Sequence, residues 1–165
     1  MLVFNYKITV GDKEVLKFST VRIESTWQHI ADTCEIEIPD LKEQLKNAFK
    51  PGDPVKVELG YDGKLNTEFV GYVRAVHPNQ PYRLECEDEA WKLKRETVSL
   101  SWKSTTLPEV IATLVPEADV SQLQSVKLEP FVINKATKYQ ALQLLKDQYG
   151  LAVYFSLGKI FVGLP

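Results

Sequence analysis

The sequence predicts an α+β protein: an antiparallel β-barrel over residues 1–98 with one inserted helix, then a small α+β domain over residues 99–165. Three observations lead there. Apolar and polar residues alternate with period 2 along several short segments of the first half, the spacing of half-buried strands. Turn-forming residues punctuate those segments at regular intervals. The second half instead carries two capped, amphipathic helical stretches.

Residues 2–10 form the first expected strand, closed by Gly11-Asp12. The second covers 14–24, where Val15, Phe18, Val21 and Ile23 alternate imperfectly, so it bends or bulges. Residues 33–38 and 54–61 alternate cleanly. Asp62-Gly63 supplies the positive-φ residues of a tight hairpin, and return strands follow over 67–77 and 81–87. Residues 2–4 and 70–73 carry few edge-blocking side chains, so either is expected to serve as an open sheet edge.

The inserted helix is expected after Asp40, with Glu43 completing a capping box and Leu41, Leu45, Ala48 and Phe49 on one face. Lys50-Pro51-Gly52 stops it. Asp88 caps a second, short helix that turns Ala90, Trp91 and Leu93 inward. In the second half, Thr106 to Glu109 is a capping box, and Leu107, Val110, Ile111 and Leu114 keep helical spacing up to Pro116. Residues 126–133 read as a strand. Thr137 to Gln140 opens another helix, with Leu142, Leu145 and Tyr149 on one face and Gly150 as its left-handed cap. A hairpin around Leu157-Gly158 ends the chain.

Composition narrows the function. Of 165 residues, 44% are hydrophobic and 25% charged, which is ordinary for a globular protein. Twenty basic against 22 acidic residues give a net charge of -2, which argues against binding nucleic acid by phosphate neutralisation. No apolar run approaches the roughly 20 residues a membrane-spanning helix needs, and the N-terminus lacks a signal-peptide layout.

Residues that carry chemistry are sparse. Cys34 and Cys86 each fall on the apolar side of an alternating strand, so both are expected buried, reduced and without catalytic role. His29 and His77 sit on different segments, without the close ligand pairs of a zinc site. Glu85, Glu87, Asp88 and Glu89 form an acidic cluster. Glu85 and Glu87 are expected to point away from the apolar face, with Asp88 as a cap and Glu89 in a first helical turn. No phosphate-cradling loop and no nucleophile elbow is present. Phe4, Tyr6, Phe18, Phe69, Tyr72 and Tyr82 lie in strands without interleaved basic residues, which favours core over base stacking. These residues predict neither an enzyme nor a bound cofactor or metal.

One ordered set of segments goes further. Ala31 to Ile38 (ADTCEIEI) is followed by GDPVKV from Gly52, by Gly60-Tyr61, by EFVGYV from Glu68, and by LECED from Leu84. Across residues 23–93 this resembles the phage tail hub proteins of the late-control D type, related to the hub portion of type VI secretion spikes. The positions that carry the pattern are Asp32, Cys34, Gly52, Asp53, Gly60, Tyr61, Phe69, Gly71, Val73, Cys86 and Asp88. Residues 137–155 are similar to that family's helix-Tyr-Gly-strand unit. The resemblance implies a tail-hub or tube-like barrel, structural rather than catalytic. It implies a ring of three or six copies in a virion tail baseplate, joining tail tube and spike proteins and assembled in the host bacterial cytoplasm. It implies no membrane and no sequence-specific nucleic acid. Such hubs usually continue into a second barrel, so the segment is expected either to be part of a longer chain or to assemble with different stoichiometry. The competing expectation is a ligand-binding barrel, for a saccharide, or a hydrolase whose triad has no sequence signature.

Overall fold

A computed structural model describes residues 2–42 and 44–164. They fall into two compact units, one of residues 2–25 and 31–91, the other of residues 26–30 and 92–164.

The first unit is built on β1 (Phe4–Val10), β2 (Lys13–Glu14), β3 (Thr20–Glu24), β4 (Thr33–Ile38), β5 (Pro54–Tyr61), β6 (Lys64–His77) and β7 (Tyr82–Glu87). These make one antiparallel sheet in the order β2-β1-β5-β6-β7-β4-β3. The antiparallel α+β expectation holds, but no closed barrel forms. Closure would require β2 to pair with β3. They are instead the two opposite edges, and β2 is only two residues long.

Alternation places the core. Ile8, Val10, Val55, Val57, Phe69, Val73, Cys86, Leu84, Cys34 and Ile36 are all buried in one cluster with Tyr82 and Phe49. The expected strand over 14–24 is interrupted between β2 and β3, where Val15 turns in and Leu16 turns out. Tyr6 OH donates to Leu16 C=O at 2.6 Å there.

The inserted helix is a correction. Residues 41–48 form turns and no helix among the described positions, and Glu43 lies outside them. Asp40 still caps the segment, its carboxylate accepting from Gln44 N at 2.9 Å and Leu45 N at 2.8 Å. Leu41, however, is 91% exposed, so the apolar face that would hold a helix is incomplete. A stretch this short does not overcome the cost of helix nucleation without such packing.

A short helix α1 (Ala90–Leu93) follows β7. The second unit carries β8 (Thr97–Trp102), β9 (Thr105–Thr106), α2 (Leu107–Leu114), β10 (Lys127–Leu128), β11 (Phe131–Thr137), α3 (Lys138–Tyr149), β12 (Ala152–Ser156) and β13 (Lys159–Gly163). β8, a strand beyond those expected from the sequence, pairs antiparallel with β11. The expected strand over 126–133 is split, since β10 pairs β9 and β11 starts after Pro130. Both late helices form where their caps predict. α2 buries Leu107, Val110, Ile111 and Leu114, and α3 buries Ala141, Leu142 and Leu145.

Gln140 N donates to Thr137 Oγ1 at 3.1 Å, and Thr137 N donates to Gln140 Oε1 at 2.9 Å, while Gly150 closes the other end at φ 63°. Thr137→Ala removes one half of that exchange. It is expected to cost about 1 kcal/mol, read as a melting temperature lowered by about 2–4 °C.

Candidate functional site

Most of the motif positions converge at one end of the sheet. Gly52 N donates to Val73 C=O at 2.8 Å and Val73 N donates to Asp53 C=O at 2.9 Å, so the Gly-Asp turn is tied to the middle of β6 before β5 starts. Asp53 Oδ2 accepts from Lys50 N at 3.0 Å, closing that turn. Gly71, opposite Val55, lies hard against β7: a β-carbon there would overlap the Glu87 carbonyl oxygen and sit 2.8 Å from Phe69 Cζ. Next to it, Tyr72 OH donates to Glu89 Oε1 at 3.0 Å, and its ring stacks on Trp91 at 5.4 Å.

Asp88 is the hub of this end. Its carboxylate accepts from Asp32 N at 2.7 Å and from Ala90 N at 2.9 Å, and its own N–H donates to Asp32 C=O at 3.1 Å. One side chain thereby joins the start of β4, the end of β7 and the first turn of α1. Burial pushes its carboxyl up to about 7, against the two backbone N–H groups that favour the charged form. Ser25 Oγ donates to Asp32 Oδ2 at 2.8 Å beside it. Glu87 alternates away from Leu84 and Cys86 along β7, and it is buried there, at 2% exposure.

Gly60 and Tyr61 lie at the opposite end of the sheet, where Phe4 pairs with Tyr61. The two motif residues are thus not part of the Asp88 cluster. Cys34 and Cys86 are buried cross-strand partners, and Phe69 and Val73 are core residues.

The face of the sheet away from the core is ionic. Glu85 Oε2 takes Arg74 at 2.6 Å, and Glu85 Oε1 meets His77 Nε2 at 2.9 Å and Arg83 at 3.6 Å. Arg83 also reaches Glu35 at 3.8 Å. The Arg74 hydrogen bond holds the Glu85 carboxyl below its ordinary range. His77 therefore meets Glu85 through its ring Nε2 as well as ending a strand. These outward positions alternate with core residues, and that alternation was the signal available for them.

The sheet leaves an open edge. Ile8 C=O accepts from Val15 N on the β2 side, whereas Val3 C=O accepts from Asp62 N on the β5 side. Backbone groups alternate along a strand, so those of Phe4 and Tyr6 point away from β5, beyond the reach of two-residue β2. Leu2, Val3, Phe4 and Tyr61 are exposed there. On the other side, β3 pairs with β4 alone among the described strands. Residues 70–73 are not an edge: β6 pairs on both sides, with β5 and β7.

Among the described residues no group of three or more His, Cys, Asp or Glu side chains has the arrangement of a metal site. A groove of about 800 Å³ lies in the second unit along β13. Tyr154 and Phe161, stacked 5.3 Å apart, line it together with Asp119, Gln122 and Lys159.

Three-dimensional comparison with solved structures covers nearly the whole chain. The 43 kDa tail protein of prophage MuSo2 from Shewanella oneidensis matches at TM-score 0.67 and 17% identity, over 97% of this chain and 53% of that one. The fold is that of prophage tail proteins. The tail protein from Neisseria meningitidis MC58 matches at TM-score 0.64 and 20% identity, over 98% of this chain and 51% of that one. A Francisella PdpA-VgrG complex matches at TM-score 0.61 and 8% identity, over 99% of this chain and 28% of that one. The chain spans about half the length of the two tail proteins, and less of the third. No family model matches the sequence, and no curated protein matches it.

Proposed function

We propose that this chain is a structural, non-enzymatic component of a phage or prophage-like tail baseplate. In this reading three or six copies form a ring-shaped hub that joins tail tube to spike. The observation that carries it is the tail-protein fold shared over nearly the full chain, together with a sheet that among the described strands ends at β3 on one side and at two-residue β2 on the other. The ordered motif from Asp32 to Asp88 supports the late-control D assignment, with those positions acting as framework rather than as a reactive site. The reading places the chain in the virion tail after assembly in the host cytoplasm.

The edges supply a physical route to a ring. A strand with unpaired N–H and C=O groups is a template for another chain. Phe4 and Tyr6 at one edge and Val21 and Ile23 at the other lie on the core-facing side, at most partly covered. Head-to-tail joining of β1 to the β3 of the next copy continues that apolar face across the junction. A head-to-tail contact that closes makes a ring, and a stable one buries upwards of about 1,000 Å² per contact.

Light scattering and negative-stain imaging at high concentration test the reading. The expected result is rings of three or six copies, alone or on addition of tube and spike proteins from the same gene cluster. Phe4→Lys, on an exposed edge residue, is expected to weaken association about tenfold or more while leaving the melting temperature within about 2 °C. A protein that stays monomeric with those partners present, or a Phe4→Lys variant that assembles as well as the parent, counts against it.

A further inference from the structure

Cys34 and Cys86 face each other as Cα partners across β4 and β7. Two residues along the same ladder, Asp88 N donates to Asp32 C=O at 3.1 Å. The cysteines therefore occupy a hydrogen-bonded pair position, with Cα atoms about 5.5 Å apart in such a ladder. A disulfide accommodates Cα separations of about 4.4–6.8 Å but draws its Cβ atoms to about 3.5–4.5 Å, closer than the roughly 5.5 Å of a hydrogen-bonded pair, so the bond requires β4 and β7 to close by about 1 Å at this rung. Both side chains point into the core, each 2% exposed, in a row that runs Ile23, Cys34, Cys86, Val73 across four strands. Both are free thiols, and the chain has no other cysteine to compete for either.

We propose that Cys34 and Cys86 are a disulfide-forming pair, a site of oxidative modification that staples β4 to β7 inside the core. The oxidant is a low-molecular-weight disulfide of the glutathione type. One cysteine, as thiolate, attacks a sulfur of that disulfide; a mixed disulfide forms and one small thiolate leaves, taking a proton from solvent. The second cysteine gives its proton to solvent and attacks the protein-bound sulfur. The Cys34–Cys86 bond forms and the second small thiol leaves. Two protein thiols become one disulfide while one small disulfide becomes two thiols, so atoms and electrons balance.

Burial sets the conditions for this exchange. It pushes the Cys34 thiol up to about 12 and raises Cys86 above its ordinary value as well. In the closed sheet both are unreactive thiols, because the thiolate is the nucleophile. Exchange therefore runs during folding or when β4 and β7 part. Once one cysteine carries the mixed disulfide, its cross-strand neighbour is the thiol within reach. The bond closes a loop that contains β5 and β6, which restricts the unfolded chain and favours the folded one.

The test starts from chain purified under reducing conditions, then unfolded and refolded with oxidised glutathione. Denaturing alkylation should find two thiols before oxidation and none after, with the mass lowered by two hydrogens and a digest fragment joining Cys34 to Cys86. The melting temperature should rise by several degrees and fall back on reduction. Folded chain should oxidise about tenfold or more slowly than chain refolding in the same buffer. Cys34→Val and Cys86→Val should each lose the oxidant-dependent rise; if either fails to fold, the parent's linked fragment decides alone. Both thiols remaining alkylatable after refolding, links mainly between chains, or a linked protein that melts below the reduced one would each overturn the proposal.

Discussion

Gly71→Val is expected to abolish the fold of the first unit. β6 is a central strand, paired to β5 and β7, so it has no free side to shift toward. A β-carbon at residue 71 overlaps the Glu87 carbonyl oxygen, and that oxygen belongs to backbone rather than to a side-chain tip that swings away. Relief requires β6 and β7 to separate, which exposes Val73, Cys86 and Leu84 together. The expected loss is upwards of about 4 kcal/mol, beyond the usual range for a point change. Far-ultraviolet dichroism with denaturant titration reads it. Gly163→Ala is the control: no atom lies within 4 Å of a β-carbon there, and the change is expected within about 0.5 kcal/mol. A soluble Gly71→Val protein with parental stability would contradict the packing described for β6 and β7.

Asp88→Ala carries the second large expected effect. It leaves two N–H groups, of Asp32 and Ala90, without the carboxylate that accepts them. Each unsatisfied buried donor costs about 1–3 kcal/mol, so the loss is about 2–6 kcal/mol. The same carboxyl makes stability depend on pH. Its folded value, about 7, is raised above the ordinary 3.8 by burial. Between those values the folded chain holds a proton that the unfolded chain has released. Its contribution is therefore fully present below about pH 3.8 and is lost as pH rises through about 7. Glu85 works in the opposite sense. Its lowered carboxyl adds stability above its unfolded value, lost as pH falls through the folded one. Asp88→Asn is expected to flatten the stability profile between about pH 4 and 7 and to leave the acid limb to the lowered carboxyls, Glu85 among them. Urea titrations across pH check this. An unchanged slope in Asp88→Asn would remove Asp88 as its source.

Faces were legible in the chain, and so were caps. Period-2 spacing in residues 33–38, 54–61 and 82–87 identifies the buried side of β4, β5 and β7, because successive side chains of a strand must alternate. Thr137, Gln140 and Gly150 mark α3 because capping is settled within a few residues of sequence. β8 carried the same kind of signal in Val98, Leu100 and Trp102, which alternate with polar residues. The turns at residues 41–42 and 44–48 carry apolar spacing that satisfies a helix, while Leu41 finds no core to face.

The sequence by itself determined which residues are inside, where the late helices start and stop, and the ordered motif that points to the tail-hub family. Only the tertiary structure decided who pairs with whom. Alternation states a residue's face but not its neighbour, so the same pattern suits a closed barrel and an open sheet, a central β6 and an edge one. Strand order rests on contacts between distant segments, such as Thr33 with Glu87 or Phe4 with Tyr61. Their energy depends on register and on backbone approach, as at Gly71. The same reason kept the Cys34–Cys86 pairing and the Asp88 junction out of view, because each exists only after β4 and β7, far apart in the chain, lie side by side.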